Sequence, residues 1–432
     1  MAKKKSKKQA QSSSEGYREA LALLHSCRGE YGFLATTQRH DNYNRVWGRD
    51  SCIAGLAALL TNDDELIEGC RLSLETLAKY QGPHGEIPSN VDPETERVSL
   101  GGTAGRVDAD LWFVITCCEY WKRTENDDFM DGMLEALEKV RHLLGAWEFN
   151  NRGLIYVPPT GDWADEYMQS GYVLYDQLLY LQAQRAFGEI HRHKHGGCDH
   201  ALDEKTARLE HLIRANYWFA EACKTPADIY HEVLFKKGCE AAPRRNGQYW
   251  MPFFSPVGYG YRFDSMANAL VMLFEVADDD QCEAVDDYIA QHIVPDKLKL
   301  LPAFSPVITP KDEGWDDLQM TFSHTFKNKP HEYHNGGLWP MVTGFYAASL
   351  AQRGHKKAAK AYTEGIHQAN LADNDDKEAH PFPEFLHGKK LKPSGTSQMA
   401  WSAAGGIIAE SYLNGKRLFN QDHDDKGRSR KS

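Results

Sequence analysis

The residues with most chemical content stand in long, aromatic-rich stretches. In Gly161-Asp162-Trp163-Ala164-Asp165-Glu166-Tyr167-Met168, three acids crowd beside an indole ring. Like charges and an apolar ring both disfavour ionisation, so one of these acids can hold a proton at neutral pH, as a general acid must. The plainer alternative is an acidic lead-in to a helix near residue 170, stabilised by the helix dipole. In Pro381-Phe382-Pro383-Glu384-Phe385, a lone carboxylate stands between prolines and phenylalanines. Burying Glu384 there is costly without partners, which suggests a role for it. A Glu on an exposed rim is the alternative.

Other stretches carry groups suited to binding hydroxyl-rich ligands. Asn44-Arg45-Val46-Trp47-Gly48-Arg49-Asp50-Ser51 brings an indole, arginines and an acid to the start of a helix. Trp47 offers an apolar face to a pyranose ring, and Arg49 and Asp50 can bond several hydroxyls; Asp50 could instead cap the helix. Arg106 with Asp108, and Arg262 with Asp264, place the same pair of types at the mouths of two further helices, as sugar contacts or as structural ion pairs. In His331-Glu332-Tyr333-His334-Asn335-Gly336-Gly337-Leu338-Trp339-Pro340 the two histidines lack a third ligand nearby, so sugar binding is expected there and a metal is not. His191-Arg192-His193-Lys194-His195 precedes Gly196-Gly197 and fits a solvated helix end.

Several function classes are excluded. Gly-rich phosphate loops and the G-x-S-x-G nucleophile elbow are absent. The net charge of −11, from 50 basic and 61 acidic side chains, does not attract nucleic acid or anionic membrane. No apolar run reaches the roughly 18–20 residues a bilayer span needs. The nine cysteines are scattered without a C-x-x-C pair, which fits reduced thiols and a cytoplasmic location. Aromatic rings with isolated acids, and no phosphate or nucleophile motif, point to carbohydrate chemistry without a cofactor.

Amphipathic periodicity marks about twelve helices, near 15–27, 50–61, 64–80, 108–124, 127–147, 170–192, 201–222, 264–277, 280–293, 336–353, 355–369 and 399–414. Long Gly-, Pro- and aromatic-rich connections separate them, and long ordered loops are usually functional. Strand signals are short and local, as in Gly153-Leu-Ile-Tyr-Val157. Twelve helices in six hairpins imply an all-α (α/α)6 toroid with its site in the loops at one end. We expect a disordered basic tail over 1–16, one catalytic domain over 17–415, and a disordered polar tail over 416–432.

Taken in order along the chain, these motifs resemble the alkaline/neutral invertases, helical-toroid hydrolases that cleave sucrose with inversion. Gly105-Arg-Val-Asp-Ala-Asp-Leu-Trp112 resembles their substrate loop, and Tyr333-His-Asn-Gly-Gly-Leu-Trp-Pro340 their Y-H-N-G-G-x-W-P string. Pro383-Glu384-Phe385 followed by Gln398-Met-Ala-Trp401-Ser-Ala-Ala-Gly405 is similar to their P-E-Y and Q-x-W-x-x-A-G. The resemblance makes Glu384 the general base. It places the general acid ahead of a helix opening with Gly171-Tyr172 and reaching Gln177, where Asp165 matches best; a one-residue gap leaves Asp162 as the alternative acid. Trp163-Ala-Asp165 is also similar to the acid motif of related helical glucosidases. Trp47-Gly-Arg-Asp-Ser51 resembles instead the W-G-R-D-[ST] of glycogen-debranching glucosidases.

The resulting expectation is an inverting hydrolase of a small α-glycoside, sucrose first. The rivals are an α-glucosidase of amylo-1,6-glucosidase or glycosylglycerate type, and a non-catalytic carbohydrate-binding protein. Asp165 and Glu384 are expected to be catalytic. Trp47, Arg49, Asp50, Arg106, Asp108 and Trp163 are expected to contact sugar, as are Tyr172, Gln177, Arg262, Asp264, His334, Asn335, Trp339 and Trp401. The expected partner is a small carbohydrate, with no nucleic acid or membrane; a homo-oligomer is compatible with the sequence.

Overall fold

A computed structural model describes residues 13–38, 42–219, 229–241, 248–295, 297–321, 325–372 and 381–419. Outer and inner helices alternate along the chain. The first half comprises α1 (Glu15–Cys27), α2 (Gly48–Leu59), α3 (Asp64–Lys79), α4 (Val107–Thr124), α5 (Asp127–Ala146), α6 (Leu174–His195) and α7 (His200–Tyr217). After a short α8 (Glu232–Ala241) come α9 (Ser265–Leu273) and α10 (Asp279–Tyr288), which runs into a π-helical turn at Ile289–Ile293. A brief α11 (Trp315–Gln319) precedes α12 (Pro340–Gln352), α13 (Lys356–Asn370) and α14 (Ala400–Leu413).

Two kinds of helix follow from two kinds of sequence. The helices α2, α9 and α12 are apolar or small-sided nearly all round and almost wholly buried, as a helix without a polar face must be. In contrast α3, α5 and α13 bury one stripe and leave Lys, Glu and Asp outside. The buried set packs in a closed ring: α2 on α4, α4 on α6, α6 on α9, α9 on α12, α12 on α14, and α14 back on α2. The remaining long helices, α1, α3, α5, α7, α10 and α13, lie outside it, giving the expected (α/α)6 architecture. Where α12 crosses α14 the backbones nearly touch, since a Cβ on Gly344 would come within 2.5 Å of Gly405 backbone atoms. Side chains at Asp63, Asn126, Asp199 and Asp278 accept backbone N–H groups and start outer helices α3, α5, α7 and α10.

Three expectations shift. Residues 153–157 form no strand; Leu154 and Ile155 are buried beneath a loop that makes one isolated bridge, Val157 to Gly171. The N-terminal boundary lies earlier than 17, because Ser14 caps α1 and bonds Glu410 of α14. At the other end, Leu418 and Phe419 are buried, Phe419 against Phe274, so the body extends to 419. The rest of both expected tails lies outside the described residues. Helices α8 and α11 were not anticipated.

Candidate active site

All six inner helices begin at the same end of the ring, and the first residues of α2, α4, α12 and α14 belong to the motifs singled out. Arg49, Asp108 and Tyr175 each occupy the second position of an inner helix, α2, α4 and α6 respectively. They form one chain of bonds: Arg49 Nη1 donates to Asp108 Oδ2 at 3.1 Å, the Tyr175 hydroxyl donates to the same oxygen at 3.2 Å, and Trp112 Nε1 donates to Tyr175 at 2.8 Å. Arg49 Cζ also lies 5.6 Å from the centre of the Trp401 ring on α14. Asp50 is buried beside Arg49, 3.7 Å from its Nε. Burial raises the Asp50 carboxyl to about 6 although Arg49 opposes this.

The loop ahead of α6 carries the two rival acids in different settings. Asp162 is 2% exposed, and both its oxygens are engaged, Oδ1 by the Ala164 N–H at 2.8 Å and Oδ2 by Gln169 Nε2 at 2.6 Å. Burial, then the charges of Asp108 and Asp264, raise it to about 8. Asp165 has a side chain 22% exposed and receives Arg106 Nη2 on Oδ2 at 2.9 Å. Arg106 itself is fixed by Nη1, which donates to the carbonyls of Gly101, Gly105 and Thr160.

Glu384 enters from the opposite side, on the stretch before α14. It is buried, its Oε2 accepts the Thr396 N–H at 3.2 Å, and its Oε1 accepts the Tyr43 hydroxyl at 3.3 Å. Burial raises its carboxyl to about 7, against the lowering effect of Lys327 and these bonds. Gly395, at φ +73°, passes so close that a Cβ there would lie 2.4 Å from Glu384 Oε2. Asp165 and Glu384 share neighbours: both charges act on Tyr43 and Tyr333, and both act on Asp50 or are acted on by it.

An aromatic wall backs the acids. His334 stacks on Trp339 at 5.4 Å, and Trp339 stacks on Phe385 at 5.7 Å and meets Trp401 edge-on at 5.5 Å. Trp163 stands behind, edge-on to Trp339 and stacked on Phe304. Burial pushes His334 down to about 3, so its imidazole is neutral at pH 7. Trp47 borders the same region, 6.3 Å from Tyr43.

Five expected sugar contacts are committed elsewhere. Gln177 uses both ends of its amide on the Ile155 backbone, and Asn335 uses its amide on Ile308 and Asn328, so each ties a loop. Tyr172 lies in a separate aromatic cluster with Tyr156, Tyr230 and Phe254. Asp264 is fully buried and caps α9 through the Ala267 N–H at 3.0 Å; burial raises it to about 7. Arg262 makes no ion pair with it and lines a different cavity. Gln177, Asn335 and Asp264 are held by backbone that needs a polar partner, a need that residue type alone does not reveal.

Sequence reasoning missed Tyr43, Tyr175, Asp176, Lys327 and Asn328. Tyr175 had a signal, the recurrent second position of an inner helix. Asp176 is fully buried beside Asp162 with neither oxygen partnered, and burial raises it strongly. Lys327 lies 3.7 Å from Glu166 Oε1 and 4.9 Å from the centre of the Tyr333 ring; nothing in Thr-Phe-Lys-Asn-Lys distinguishes it from a surface lysine. Among the described residues no group of acids, histidines or cysteines is arranged to hold a metal ion, and no helix is long and apolar enough to cross a membrane.

Comparison with known proteins agrees with this architecture. The family model for alkaline and neutral invertase matches residues 22–415. Neutral/alkaline invertase 3, chloroplastic, from Oryza sativa subsp. japonica is 24% identical, with 93% of this chain and 74% of that protein covered. Cytosolic invertase 1 from the same plant is 22% identical over 86% of this chain and 72% of its own. Among solved structures, the GH63 mannosylglycerate hydrolase from Thermus thermophilus in complex with Tris superposes with a TM-score of 0.62 at 13% identity, covering 91% of this chain and 99% of that one. A bacterial glucoamylase complexed with acarbose gives 0.64 at 15% identity, covering 94% of this chain and 56% of that one. These likenesses establish the shared fold.

Proposed function

This chain belongs to the alkaline and neutral invertase family of glycoside hydrolases, and from that premise we propose that it hydrolyses a small α-glycoside, sucrose first, with inversion at the anomeric carbon. Asp165 gives a proton to the glycosidic oxygen as the bond to the leaving sugar breaks. Glu384, ionised, takes a proton from the water that attacks from the other face of the ring. The observation that supports this reading is that Glu384 accepts the Tyr43 hydroxyl and that the charges of both acids, carried on different elements, reach Tyr43 and Tyr333. Asp165 is preferred over Asp162 as the acid because its side chain is 22% exposed, whereas Asp162, although burial favours its proton, is 2% exposed and has both oxygens bonded to the protein.

Trp47 offers its indole face to the sugar and Arg49 and Asp50 bond its hydroxyls, while Asp108, Trp339 and Trp401 support these groups from beneath. The reaction as written needs no metal or cofactor step. A second reading, an α-glucosidase acting on a maltose-, isomaltose- or glycosylglycerate-like substrate, is favoured by Trp47-Gly-Arg-Asp-Ser51 at the rim of this site. The cytosolic relative supports the cytoplasm as the location.

Kinetics on sucrose, trehalose, maltose, isomaltose, a glycosylglycerate and a branched dextrin, read as released glucose, test the proposal. Highest kcat/KM on sucrose is expected. Efficient glucose release from the dextrin, with none from any disaccharide, overturns the small-substrate reading.

A further inference from the structure

Arg262 is a half-buried cation without a partner among the described residues. The protein carries more acids than bases, yet Arg262 makes no hydrogen bond or ion pair with any described residue. Asp264, two positions on, is turned into the core as a helix cap. Asp312 is near enough for Arg262 to help lower its carboxyl, but its bonds go to Thr309. The guanidinium instead lies beside Gly314, which would place a Cβ 3.6 Å from Nη2, and beside the phenol of Tyr167, whose ionisation its charge favours against burial.

These groups line a cavity of about 360 Å³ on the far side of the acid loop. One wall is Tyr167, Met168 and Gln169, the residues that follow Asp165 and Glu166. Tyr167 lies flat on Phe304 at 4.1 Å, and Trp163 backs Phe304 toward Trp339, so an aromatic partition separates the cavity from the sugar-binding side. The opposite wall is apolar, with Pro252, Phe253 and Pro306. Tyr167 and Gln169 are each 4% exposed, and both the Tyr167 hydroxyl and the Gln169 side-chain carbonyl lack a partner. Unsatisfied buried polar atoms are uncommon in folded proteins, and three of them, the Tyr167 hydroxyl, the Gln169 carbonyl and Arg262 Nε, belong to residues that line this cavity.

We propose that this cavity binds a small hydroxylated anion, such as a sugar acid or a polyol phosphate, and that its occupancy is felt by the acid loop. The anionic group pairs with the Arg262 guanidinium, the fork that suits carboxylate and phosphate alike. Hydroxyls of the ligand donate to Gln169 and exchange bonds with Tyr167. Gln169 Nε2 already holds Asp162, so a ligand on its carbonyl oxygen is one residue from the loop that carries Asp165. The site would make turnover responsive to a small anion that need not be the substrate, as two sites biasing one loop require.

Isothermal titration calorimetry on the full chain tests binding without relying on glycosidase activity. The probes are D-glycerate for the carboxylate source, glycerol 3-phosphate for the phosphate source, and glycerol as the neutral control. One or both anions are expected to bind at one site per chain and glycerol not. Arg262→Gln should weaken anion binding by about 10-fold or more, the loss of one charge-assisted contact, and Arg262→Lys by less. Tyr167→Phe, which removes one oxygen and keeps the ring stack, should weaken it too. Failure of both anions to bind, equal binding of glycerol, or anion binding unchanged in both Arg262→Gln and Tyr167→Phe overturns the assignment. If sucrose hydrolysis fails while these titrations succeed, the cavity stands and the substrate reading falls.

Discussion

The Tyr43 hydroxyl lies 3.3 Å from Glu384 Oε1 and donates to it, from a loop more than three hundred positions away in sequence. Burial holds the Glu384 carboxyl up at about 7, and the Tyr43 bond is one of the contacts that pull the other way. A general base must be ionised, so the acid limb of kcat/KM should fall about tenfold per unit as pH drops below about 7. Tyr43→Phe removes a donor that favours the charged form, so the acid limb should move to higher pH, by about 0.5–1 unit for one hydrogen bond. The measurement is a pH profile of kcat/KM for both proteins. A limb that stays in place, or moves to lower pH, contradicts the assignment of Glu384 as the base.

The two acids on the loop before α6 can be separated by amide substitution. Asp165→Asn and Glu384→Gln should each lower kcat by about 10²–10⁴-fold through loss of proton transfer, with the melting temperature little changed. Asp162→Asn retains an acceptor for the Ala164 N–H and should keep substantial turnover. Near-normal turnover of Asp165→Asn beside a dead Asp162→Asn reverses the roles of the two aspartates.

Much of this was legible in the sequence because inner and outer helices carry different patterns. One-sided stripes in α3, α5 and α13 and near-continuous apolar runs in α2 and α12 gave the helical periods and hence the ring. The helix-start motifs were visible for a related reason: a charged or aromatic residue just inside an otherwise apolar helix, as at Arg49, Asp108 or Trp401, has few structural explanations. Gln177 and Asn335 misled because a buried loop carbonyl and a sugar hydroxyl call for the same amide. Tyr43, Lys327 and Asn328 were hidden because their roles come from contacts across the ring, which no local period encodes. The stretch 153–157 has the composition of a strand, but its backbone bonds are divided among the Gln177 side chain, the Trp147 carbonyl and Gly171.

Asn328 joins the two halves of the site. Its Nδ2 donates to the Glu166 carbonyl beside Asp165, its Oδ1 accepts the Asn335 N–H at 3.1 Å, and its own carbonyl accepts Asn335 Nδ2 at 3.0 Å. It is fully buried and touches neither acid, so it acts as a positioning residue. Asn328→Asp keeps the acceptor and loses the donor to the acid loop. We expect kcat to fall by about 10–100-fold with KM less changed, since small displacements of a catalytic group are costly. Asn328→Ala should also lower stability by about 1–3 kcal/mol by orphaning buried partners. An Asn328→Asp protein that loses stability and keeps full kcat would show the residue to be structural only.

The stereochemistry of the product tests the mechanism independently of any variant. Asp165 and Glu384 approach the site from different elements, the loop before α6 and the stretch before α14, and inversion requires that a water fit between the sugar and the base. The two carboxyl groups should therefore stand roughly 6.5–9.5 Å apart across bound substrate, whereas a covalent, retaining route needs about 5–5.5 Å. With an α-glucoside such as sucrose, proton NMR in the first minutes of turnover should show β-glucose first, before mutarotation equilibrates the anomers. Initial α-glucose would require a nucleophile in contact with the anomeric carbon, and Glu384, buried and bonded to Tyr43 and the Thr396 N–H, would then have to leave those bonds to reach it.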